Sequence, residues 1–413
     1  MKTNETTPIP QGYKATPLGI IPQEWEVKRL EDMAQCFSGG TPKAGNNEYY
    51  DGNIPFIRSG EIHQKDTELF LSKLGMVESS AKMVQKGDLL MALYGANSGD
   101  VSISQIDGAI NQAILCIRPR DVLVSFLCPF LDLNKDMYIA KYLQGGQGNL
   151  SGEIVLNYKI PVPPLAEQKK IAEVLGLWDK AIEKQSQLIE QLTLRKRGLM
   201  QQLLTAKRRL PGFSGLWKKV RLGEICERVT RKNTEDNKNV MTISAQRGFV
   251  VQTDFFNKSV ASETLESYYL VFKDEFCYNK SYSNGYPMGA IKRLSEADKA
   301  VVTSLYICFK VKSSMRVSID YLAYYFDNGG LNKELTKIAN EGGRAHGLLN
   351  VTPTDFLGLM FGIPSFEEQT AIAQVLTAAD REIELAQQKL ELLRQQKRGL
   401  MQQLLTGKKR VKI

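Results

Sequence analysis

The sequence predicts an α+β protein with two mixed α/β globular domains, separated by two long helices that form an antiparallel coiled coil in a pseudo-two-fold circular repeat. Three observations predict this fold. An unbroken heptad pattern occupies residues 165–204, the same segment recurs at 366–405, and the entrance to the first globular region also occurs twice. We expect a first globular domain with an N-terminal arm at 1–160, a first long helix at 161–210, a second globular domain at 211–362, and a second long helix with a C-terminal tail at 363–413.

The first long segment is predicted to be a coiled-coil helix. A seam of mostly apolar side chains advances in steps that alternate four and three residues: Ile171, Leu175, Trp178, Ile182, Gln185, Ile189, Leu192, Lys196, Leu199 and Leu203. Because such a seam keeps one face of a helix towards a partner, it favours a coiled coil over a solvated surface helix. Pro163 and Pro164 supply the start, and at the usual rise per residue the helix would be about 60 Å long.

The second long segment repeats this seam 201 residues later, without a gap. Its members are Ile372, Leu376, Ala379, Ile383, Ala386, Leu390, Leu393, Lys397, Leu400 and Leu404. The run KRGLMQQLLT is identical at 196–205 and 397–406. A single amphipathic helix often packs on its own domain, but two matching copies favour each helix as the partner of the other.

The charges on the seam favour an antiparallel register. It places Trp178 opposite Lys397, Lys196 opposite Ala379, Gln185 opposite Leu390 and Ile189 opposite Ala386. A parallel register would set Lys196 beside Lys397, at a cost in repulsion and desolvation. The tail GKKRVKI also resembles the linker AKRRLPGF, so the repeat nearly closes on itself. A two-fold axis would then put the globular domains at opposite ends of the helices, in inverted orientation.

The two globular regions share a layout although their sequences differ. Trp25 and Trp217 mark the two entrances. A strand, a glycine-bearing loop and a second strand are predicted at 86–103 and 273–291, and a buried strand follows at 109–119 and 300–311. A helical stretch, a double-glycine turn, a short strand and a proline turn complete each region. The polar, proline-rich residues before Trp25 are expected to be an extended arm.

Composition bounds the class of protein. The 413 residues carry a net charge of +9 and a pI near 9.0, and a basic surface attracts polyanions such as nucleic acid, although a merely soluble basic protein is the alternative. MKTNETTPIP lacks the apolar core of a signal peptide, and no apolar run is long enough to cross a bilayer. The six scattered cysteines are expected to be core residues of a cytoplasmic protein.

Catalytic motifs are missing from the sequence. We find no NPPY or DPPY tetrapeptide, no glycine-rich loop suited to S-adenosylmethionine, no Walker loop and no nuclease motif. Neither His63 nor His346 lies in a metal-ligand pattern. We therefore expect a binding protein with no catalytic residues, cofactor or metal.

At this point the chain resembles a known family, the DNA-specificity subunits of type I restriction-modification enzymes. The resemblance rests on the duplicated proline turn, Glu-Gln pair and long helix at Pro163–Leu204 and Pro364–Leu405, together with the tryptophan entrances. It implies that each globular part is a target-recognition domain, which reads half of an asymmetric bipartite site in double-stranded DNA. It also implies that the helices space these domains and dock two methyltransferase (modification) subunits, and through them the ATP-dependent restriction subunits.

Candidate DNA contacts are polar and aromatic residues among glycines, and basic residues around the linker. Amide side chains suit adenine edges, Arg and Lys suit guanine, and basic residues neutralise phosphates. The first domain offers Tyr94, Asn97, Ser98, Gln147 and Asn149. The second offers Tyr278, Asn279, Lys280, Tyr282, Asn284, Tyr286, Arg344 and His346. Phosphate contacts are expected from Lys207, Arg208, Arg209, Lys218 and Lys219. The alternatives are ordinary turn residues and a solvated linker.

Two other functions stay open on the sequence alone. One is a coiled-coil adaptor whose globular ends bind proteins, and the other is a stand-alone DNA methyltransferase or nuclease with an unrecognised site. The salt dependence of DNA affinity separates the first from a DNA reader, because phosphate contacts release counterions. Cofactor binding by the isolated chain separates the second.

Overall fold

The chain divides into two units in the computed structural model, which describes residues 9–142, 149–252, 265–341 and 348–412. Unit 1 comprises Met1–Ser186 and Gln388–Ile413, and unit 2 comprises Gln187–Gln387. Each unit therefore contains one globular region, the first half of the long helix that follows it, and the second half of the other long helix.

Unit 1 contains twelve strands in its described part: β1 Tyr13–Thr16, β2 Gly19–Pro22, β3 Glu26–Arg29, β4 Ala34–Ser38, β5 Ile54–Ile57, β6 Phe70–Leu71, β7 Lys82–Val84, β8 Leu89–Ala92, β9 Val101–Ile103, β10 Gly108–Ile110, β11 Ile114–Pro119 and β12 Lys159–Val162. Its shorter helices are α1 Leu30–Met33, α2 Lys73–Val77, α3 Val124–Leu133, α4 Lys135–Tyr142 and α5 Gly152–Leu156. One four-stranded sheet has the order β4-β11-β8-β9 and a second has the order β6-β5-β10-β7.

The first of these sheets is buried on both faces, so its central strands are continuously apolar. In β8, Leu89 and Met91 point into a core with the helices, whereas Leu90 and Ala92 point into a core with the second sheet. This alternation follows from the two-residue period of a strand. The sheet is therefore the middle layer of the globular region.

Unit 2 contains β13 Lys218–Arg221, β14 Cys226–Val229, β15 Met241–Ser244, β16 Gly248–Val251, β17 Tyr269–Phe272, β18 Phe276–Asn279, β19 Ala290–Arg293, β20 Lys299–Val302, β21 Ile307–Val311, β22 Asn340–Glu341, β23 Leu349–Asn350 and β24 Met360–Ile363. The two long helices are α6 Leu165–Leu203 and α11 Phe366–Leu404, and the shorter helices in the described part of unit 2 are α7 Leu222–Ile225, α8 Ile319–Asp327, α9 Asn332–Ile338 and α10 Pro353–Leu357. The central sheet has the order β14-β21-β18-β19, which repeats the arrangement of unit 1 strand by strand.

Three predictions about local structure need correction. The N-terminal arm is not simply extended, because β1 and β2 form a hairpin whose Ile21 is buried in the core of unit 1. The single strands predicted at 109–119 and 300–311 are each two strands in different sheets, separated by a short polar turn. Each predicted helical stretch is likewise two helices, α3 with α4 and α8 with α9.

The cysteines are core residues, as predicted from their scatter. All six are free; four are buried, and Cys36 and Cys128 are half-buried. Burial raises the pKa of Cys36 to about 11 and the pKa values of Cys116, Cys128 and Cys226 to about 12. These thiols therefore stay protonated at neutral pH and pack as small apolar groups.

The predicted antiparallel pairing of α6 and α11 is confirmed in each unit. In unit 1, Lys397 Nζ lies 2.5 Å from Asp179 Oδ1, beside the predicted partner Trp178. In unit 2, Lys196 Nζ lies 2.6 Å from Asp380 Oδ1, beside the predicted partner Ala379. Arg195 also pairs with Glu382. Each seam lysine therefore carries its ammonium past the apolar seam to an aspartate at the edge.

The ends of the long helices complete the two cores in the same way. Ile171 and Leu175, at the start of α6, pack in the core of unit 1 with Met401, Leu404 and Leu405. The residues that stand 201 positions away enter the core of unit 2: Ile372, Leu376, Met200, Leu203 and Leu204. The circular repeat inferred from the sequence is therefore present in the packing.

A buried glutamate at the start of each long helix forms an ion pair with an arginine that follows the other long helix. The Glu167 carboxylate, fully buried, accepts hydrogen bonds from Arg410 Nε at 3.1 Å and Nη2 at 2.8 Å, and from Trp25 Nε1 at 3.0 Å. In unit 2, Glu368 accepts two from Arg209, at 2.5 Å and 2.6 Å. The arginine comes in each case from just beyond the end of the other long helix.

The adjacent glutamine ties each long helix to its globular region. Gln168 Oε1 accepts the backbone N–H of Leu123, which precedes α3, and Gln168 Nε2 donates to the Pro163 carbonyl, both at 2.9 Å. Gln369 makes the same two bonds, with Ser318 and Pro364. The duplicated Glu-Gln pair is thus a structural joint, because each carboxylate and amide is buried and hydrogen-bonded.

Candidate nucleic-acid interface

The glycine loop of unit 1, residues 93–100, joins β8 to β9. Gly95 has a φ of +79°, a conformation that residues with a side chain rarely adopt. It begins a short 3-10 turn that ends at Asn97. The backbone N–H of Gly95 donates to Asn149 Oδ1 at 3.4 Å, so the predicted Asn149 lies beside the loop. Tyr94 is exposed. The structure therefore brings Tyr94, Asn97 and Asn149 together on one surface.

The glycine loop of unit 2, residues 280–289, joins the equivalent strands β18 and β19. Tyr282 is 63% exposed, Asn284 is exposed, and Ser283 forms a bridge to Tyr286 across the turn. The backbone N–H of Leu349 donates to the Lys280 carbonyl at 3.1 Å, which fixes the base of the loop. An exposed aromatic ring and an exposed amide are thus held on a short hairpin, where they can stack on bases or bond to their edges.

Two predicted contacts are part of the fold, so the structure removes them from the candidate surface. Tyr278 is fully buried, stacks on Phe356, and donates its hydroxyl to the Met288 carbonyl at 2.9 Å. Ser98 is 6% exposed and donates its hydroxyl to the Leu93 carbonyl at 2.9 Å. Both shape the glycine loops from within.

Three more candidates, in the unit 2 loop or directly before it, are half-buried. Asn279 Nδ2 donates to the Ile243 carbonyl at 3.2 Å. The Tyr286 hydroxyl lies between Asp327 and Lys292, at 3.4 Å and 3.3 Å. Burial lowers the pKa of Lys280. These side chains position the loop and present only part of their polar surface.

The basic candidates divide into two groups. Arg209 is engaged by the buried Glu368 carboxylate, so its prediction as a phosphate contact is replaced by a structural role. Lys207, Arg208, Lys218 and Lys219 are exposed, and the last two lie on β13, which pairs with β24. The remaining candidates Gln147, Arg344 and His346 lie outside the described residues.

The structure adds a second loop to each candidate surface that sequence reasoning missed. In unit 1 it is residues 58–68, which follow β5. In unit 2 it is residues 245–247, which join β15 to β16, and its Gln246 Nε2 donates to the Asn284 carbonyl at 3.2 Å. The sequence signal for the second is AQRGF between two apolar strands, a polar and basic turn of the same kind as the glycine loop.

The described part of the chain holds no group of three or more His, Cys, Asp or Glu residues placed to bind a metal ion. None of the helices described is both long enough and apolar enough to span a membrane.

The two halves of the chain match the same family of domains. The model described as "Type I restriction modification DNA specificity domain" matches residues 22–194 and again residues 215–395. Each match contains one globular region and most of the long helix that follows it.

The chain is also similar over its length to named proteins. It is 25% identical over 423 residues to the type I restriction enzyme MjaVIII specificity subunit of Methanocaldococcus jannaschii, covering 95% of this chain and 94% of the relative. It is 28% identical over 447 residues to the putative MjaX specificity subunit of the same organism, covering 97% of each. A shorter match, 31% over 140 residues, is to the HindI specificity subunit of Haemophilus influenzae, covering 32% of this chain and 30% of that one.

Two solved structures share the fold. The S subunit of a type I restriction-modification system from M. genitalium superposes with a TM-score of 0.50 at 15% identity, covering 92% of this chain and 96% of that chain. A chain from a study of complex assembly and conformational transition of the type I R-M system gives a TM-score of 0.59 at 15% identity, covering 94% and 99%. These likenesses agree with the two-domain, two-helix architecture described above.

Proposed function

Because this chain belongs to the type I restriction modification DNA specificity family, we propose that it is the non-catalytic, DNA-binding specificity subunit of a type I restriction-modification enzyme. The observation that carries the proposal is the double occurrence of the family domain, at residues 22–194 and 215–395. Relatives that match nearly the full chain are themselves named specificity subunits.

Each globular region is a target-recognition domain that reads one half of a bipartite site. We assign residues 1–160 to the first domain and 211–362 to the second. The two central sheets share one strand order, whereas the glycine loops YGANSGD and YNKSYSNGY differ. Because base edges are recognised by individual side chains, different loops on equivalent sheets read different bases. The site is therefore asymmetric.

The proposed contact set is the part of the predicted set that the structure leaves accessible. It comprises Tyr94, Asn97, Asn149, Lys280, Tyr282, Asn284 and Tyr286 for bases, and Lys207, Arg208, Lys218 and Lys219 for phosphates. Asn279 supports the second loop. Exposed aromatic and amide side chains suit contacts with bases, and exposed lysine and arginine side chains suit contacts with phosphates.

The long helices space the two domains and dock two methyltransferase (modification) subunits, which in turn recruit the ATP-dependent restriction subunits. Support comes from leucines that the paired helices leave in solvent. In unit 1, Leu177 is 66% and Leu392 is 52% exposed; in unit 2, Leu194 is 55% and Leu385 is 49% exposed. A partner protein that covers these leucines would remove apolar surface from water. We place the assembly in the cytoplasm, with the DNA that it reads.

The test of this function combines binding and transfer of label. Purified full-length chain should enrich an asymmetric two-part sequence from a random duplex library, with an affinity that falls steeply as salt rises. Incubated with labelled S-adenosylmethionine and that duplex, the chain alone should transfer no label. Addition of the methyltransferase subunits should restore transfer. Label transferred by the chain alone would contradict the non-catalytic assignment, and salt-independent binding without sequence preference would favour a protein-binding adaptor.

A further inference from the structure

The two units place the same kind of loop beside their glycine loops, although the loops differ in sequence. In unit 1, β5 runs parallel to β10, and residues 58–68 follow it. In unit 2, Val240 makes a parallel bridge to Val301 of β20, and β15 then leads into the turn at 245–247. Both loops begin at the end of the equivalent strand, and each carries one arginine, Arg58 or Arg247.

Both loops lie close to the neighbouring glycine loop. A Cβ atom added at Gly60 would lie 3.8 Å from Asn97 Nδ2, so the two loops of unit 1 are near each other. In unit 2 the contact is the hydrogen bond from Gln246 to the Asn284 carbonyl. Each arginine therefore belongs to the same surface as an asparagine of the proposed contact set.

Arg58 is held in a fixed orientation by a buried carboxylate. Its Nε and Nη2 atoms donate to Glu61 at 3.1 Å and 2.7 Å, and Glu61 is 6% exposed. Glu61 also accepts the backbone N–H groups of Arg58 and Glu68, at 3.0 Å and 3.2 Å. Burial alone would raise the pKa of Glu61, but these hydrogen bonds outweigh it and lower the pKa, so the carboxylate stays charged.

This orientation leaves the outer edge of the guanidinium for a ligand. Glu61 occupies the edge formed by Nε and Nη2, and the edge shared by Nη1 and Nη2 is the fork that matches O6 and N7 of guanine. At that edge Nη2 donates to Glu68 Oε2 at 2.5 Å, but Glu68 is 79% exposed. An exposed ion pair of this kind is weak, so a guanine can displace Glu68 while Glu61 keeps its hold.

Arg247 has a comparable position on a different framework. It is exposed, its backbone N–H donates to Ser244 Oγ at 3.2 Å, and Gly248 follows it with a φ of +78°. The Glu296 carboxylate lies beside this turn, 3.4 Å from where a Cβ of Gly248 would be. The turn is therefore fixed by the backbone as well as by its contact with Asn284.

We propose that Arg58 and Arg247 are specificity-determining residues, each of which contacts a guanine in the half-site that its own unit reads. The proposal rests on the proposed function, because it assumes that each unit reads a half-site. The inference goes beyond the proposed function because it names one base and one residue in each half-site. The inference is carried by two loops of unrelated sequence that follow equivalent strands, lie near the glycine loops and each contain an arginine.

The test replaces each arginine by lysine and compares the enriched sequences. Lysine keeps a positive charge that can pair with Glu61 or with a DNA phosphate. It lacks the planar pair of N–H donors that binds O6 and N7 of guanine together. For the full-length Arg58→Lys chain, preference for one guanine in one half-site should fall about ten- to hundred-fold, while the other half-site is unchanged. Arg247→Lys should do the same in the other half. The untouched half shows that each variant is folded and bound.

Matched controls are available in each unit. Arg29 pairs with Asp32 three residues later, as Arg58 does with Glu61, and Arg316 is an exposed arginine paired with Glu367. Arg29→Lys and Arg316→Lys should leave both half-sites unchanged. If the wild-type chain enriches a two-part sequence and Arg58→Lys or Arg247→Lys keeps the guanine preference, the inference for that residue is overturned and the proposed function stands. If the wild-type chain enriches no two-part sequence, the proposed function fails and the inference falls with it.

Discussion

One buried ion pair in each unit joins the start of one long helix to the segment just beyond the end of the other. Glu167 is fully buried and depends on Arg410, and Glu368 depends in the same way on Arg209. Removing one partner of a buried pair leaves a charge without compensation, which costs more than the pair itself contributes. The arginines beyond the helix ends are therefore needed for the stability of the unit that they enter.

Replacing Arg410 tests this role. Arg410→Ala should lower the free energy of unfolding by about 2 to 3 kcal/mol, below the full cost of a broken buried pair because Arg410 is partly exposed. Urea unfolding measured by tryptophan fluorescence gives the value. The control Arg29→Ala, which breaks an exposed pair, should lower the free energy of unfolding far less. Equal effects of the two variants would show that Glu167 finds other compensation.

The sequence identified the right loops but could not separate readers from supports within them. Tyr282 and Tyr278 stand four positions apart in one polar and aromatic run, yet one is in solvent and the other is fully buried. Tyr278 lies on β18, which is buried on both faces, whereas Tyr282 lies in the loop beyond the strand. The pattern of a four-residue strand is too short to fix where the strand ends. Arg209 looked like a free linker charge because its partner, Glu368, is 159 positions away.

At the scale of elements, the long helices were the most predictable part of the fold. Each helix is 39 residues long and carries a seam of ten heptad positions, so even the partner and the register followed from the pattern. Short strands were less predictable. The mostly apolar run AINQAIL concealed a change of sheet, because only two polar residues mark the point between the end of β10 and the start of β11.

The antiparallel register predicts which charge reversals on the two long helices can compensate for each other. Lys397→Glu should destabilise unit 1 by about 1 kcal/mol, because it sets a second carboxylate beside Asp179. Adding Asp179→Lys should restore most of the loss, and thermal unfolding of the single and double variants measures the coupling. Combining Lys397→Glu with Asp380→Lys should give no rescue, since Asp380 pairs with Lys196. Rescue by the second combination would contradict the antiparallel register.

At the scale of the whole molecule, helix length should set the length of the unread spacer in the DNA site. Inserting matched seven-residue units after Gln185 and after Ala386 lengthens both helices by about 10 Å, equivalent to about three base pairs. The site enriched from a random library should gain about three base pairs between unchanged half-sites. Insertion into one helix alone is the control and should impair folding, because it breaks the register. A functional double insertion with the original spacer would show that the helices do not set the distance.

The division of the chain into units has a consequence for synthesis on the ribosome. Unit 2 is one continuous stretch, whereas unit 1 needs Gln388–Ile413 to complete a core that Met1–Ser186 begins. At about 5 to 20 residues per second, the intervening stretch delays that completion by about 10 to 40 s. The domain that emerges first is thus finished last. During that interval, Ile171 and Leu175 lack the helix that covers them, and the nascent chain is open to capture by a chaperone or by a neighbouring copy.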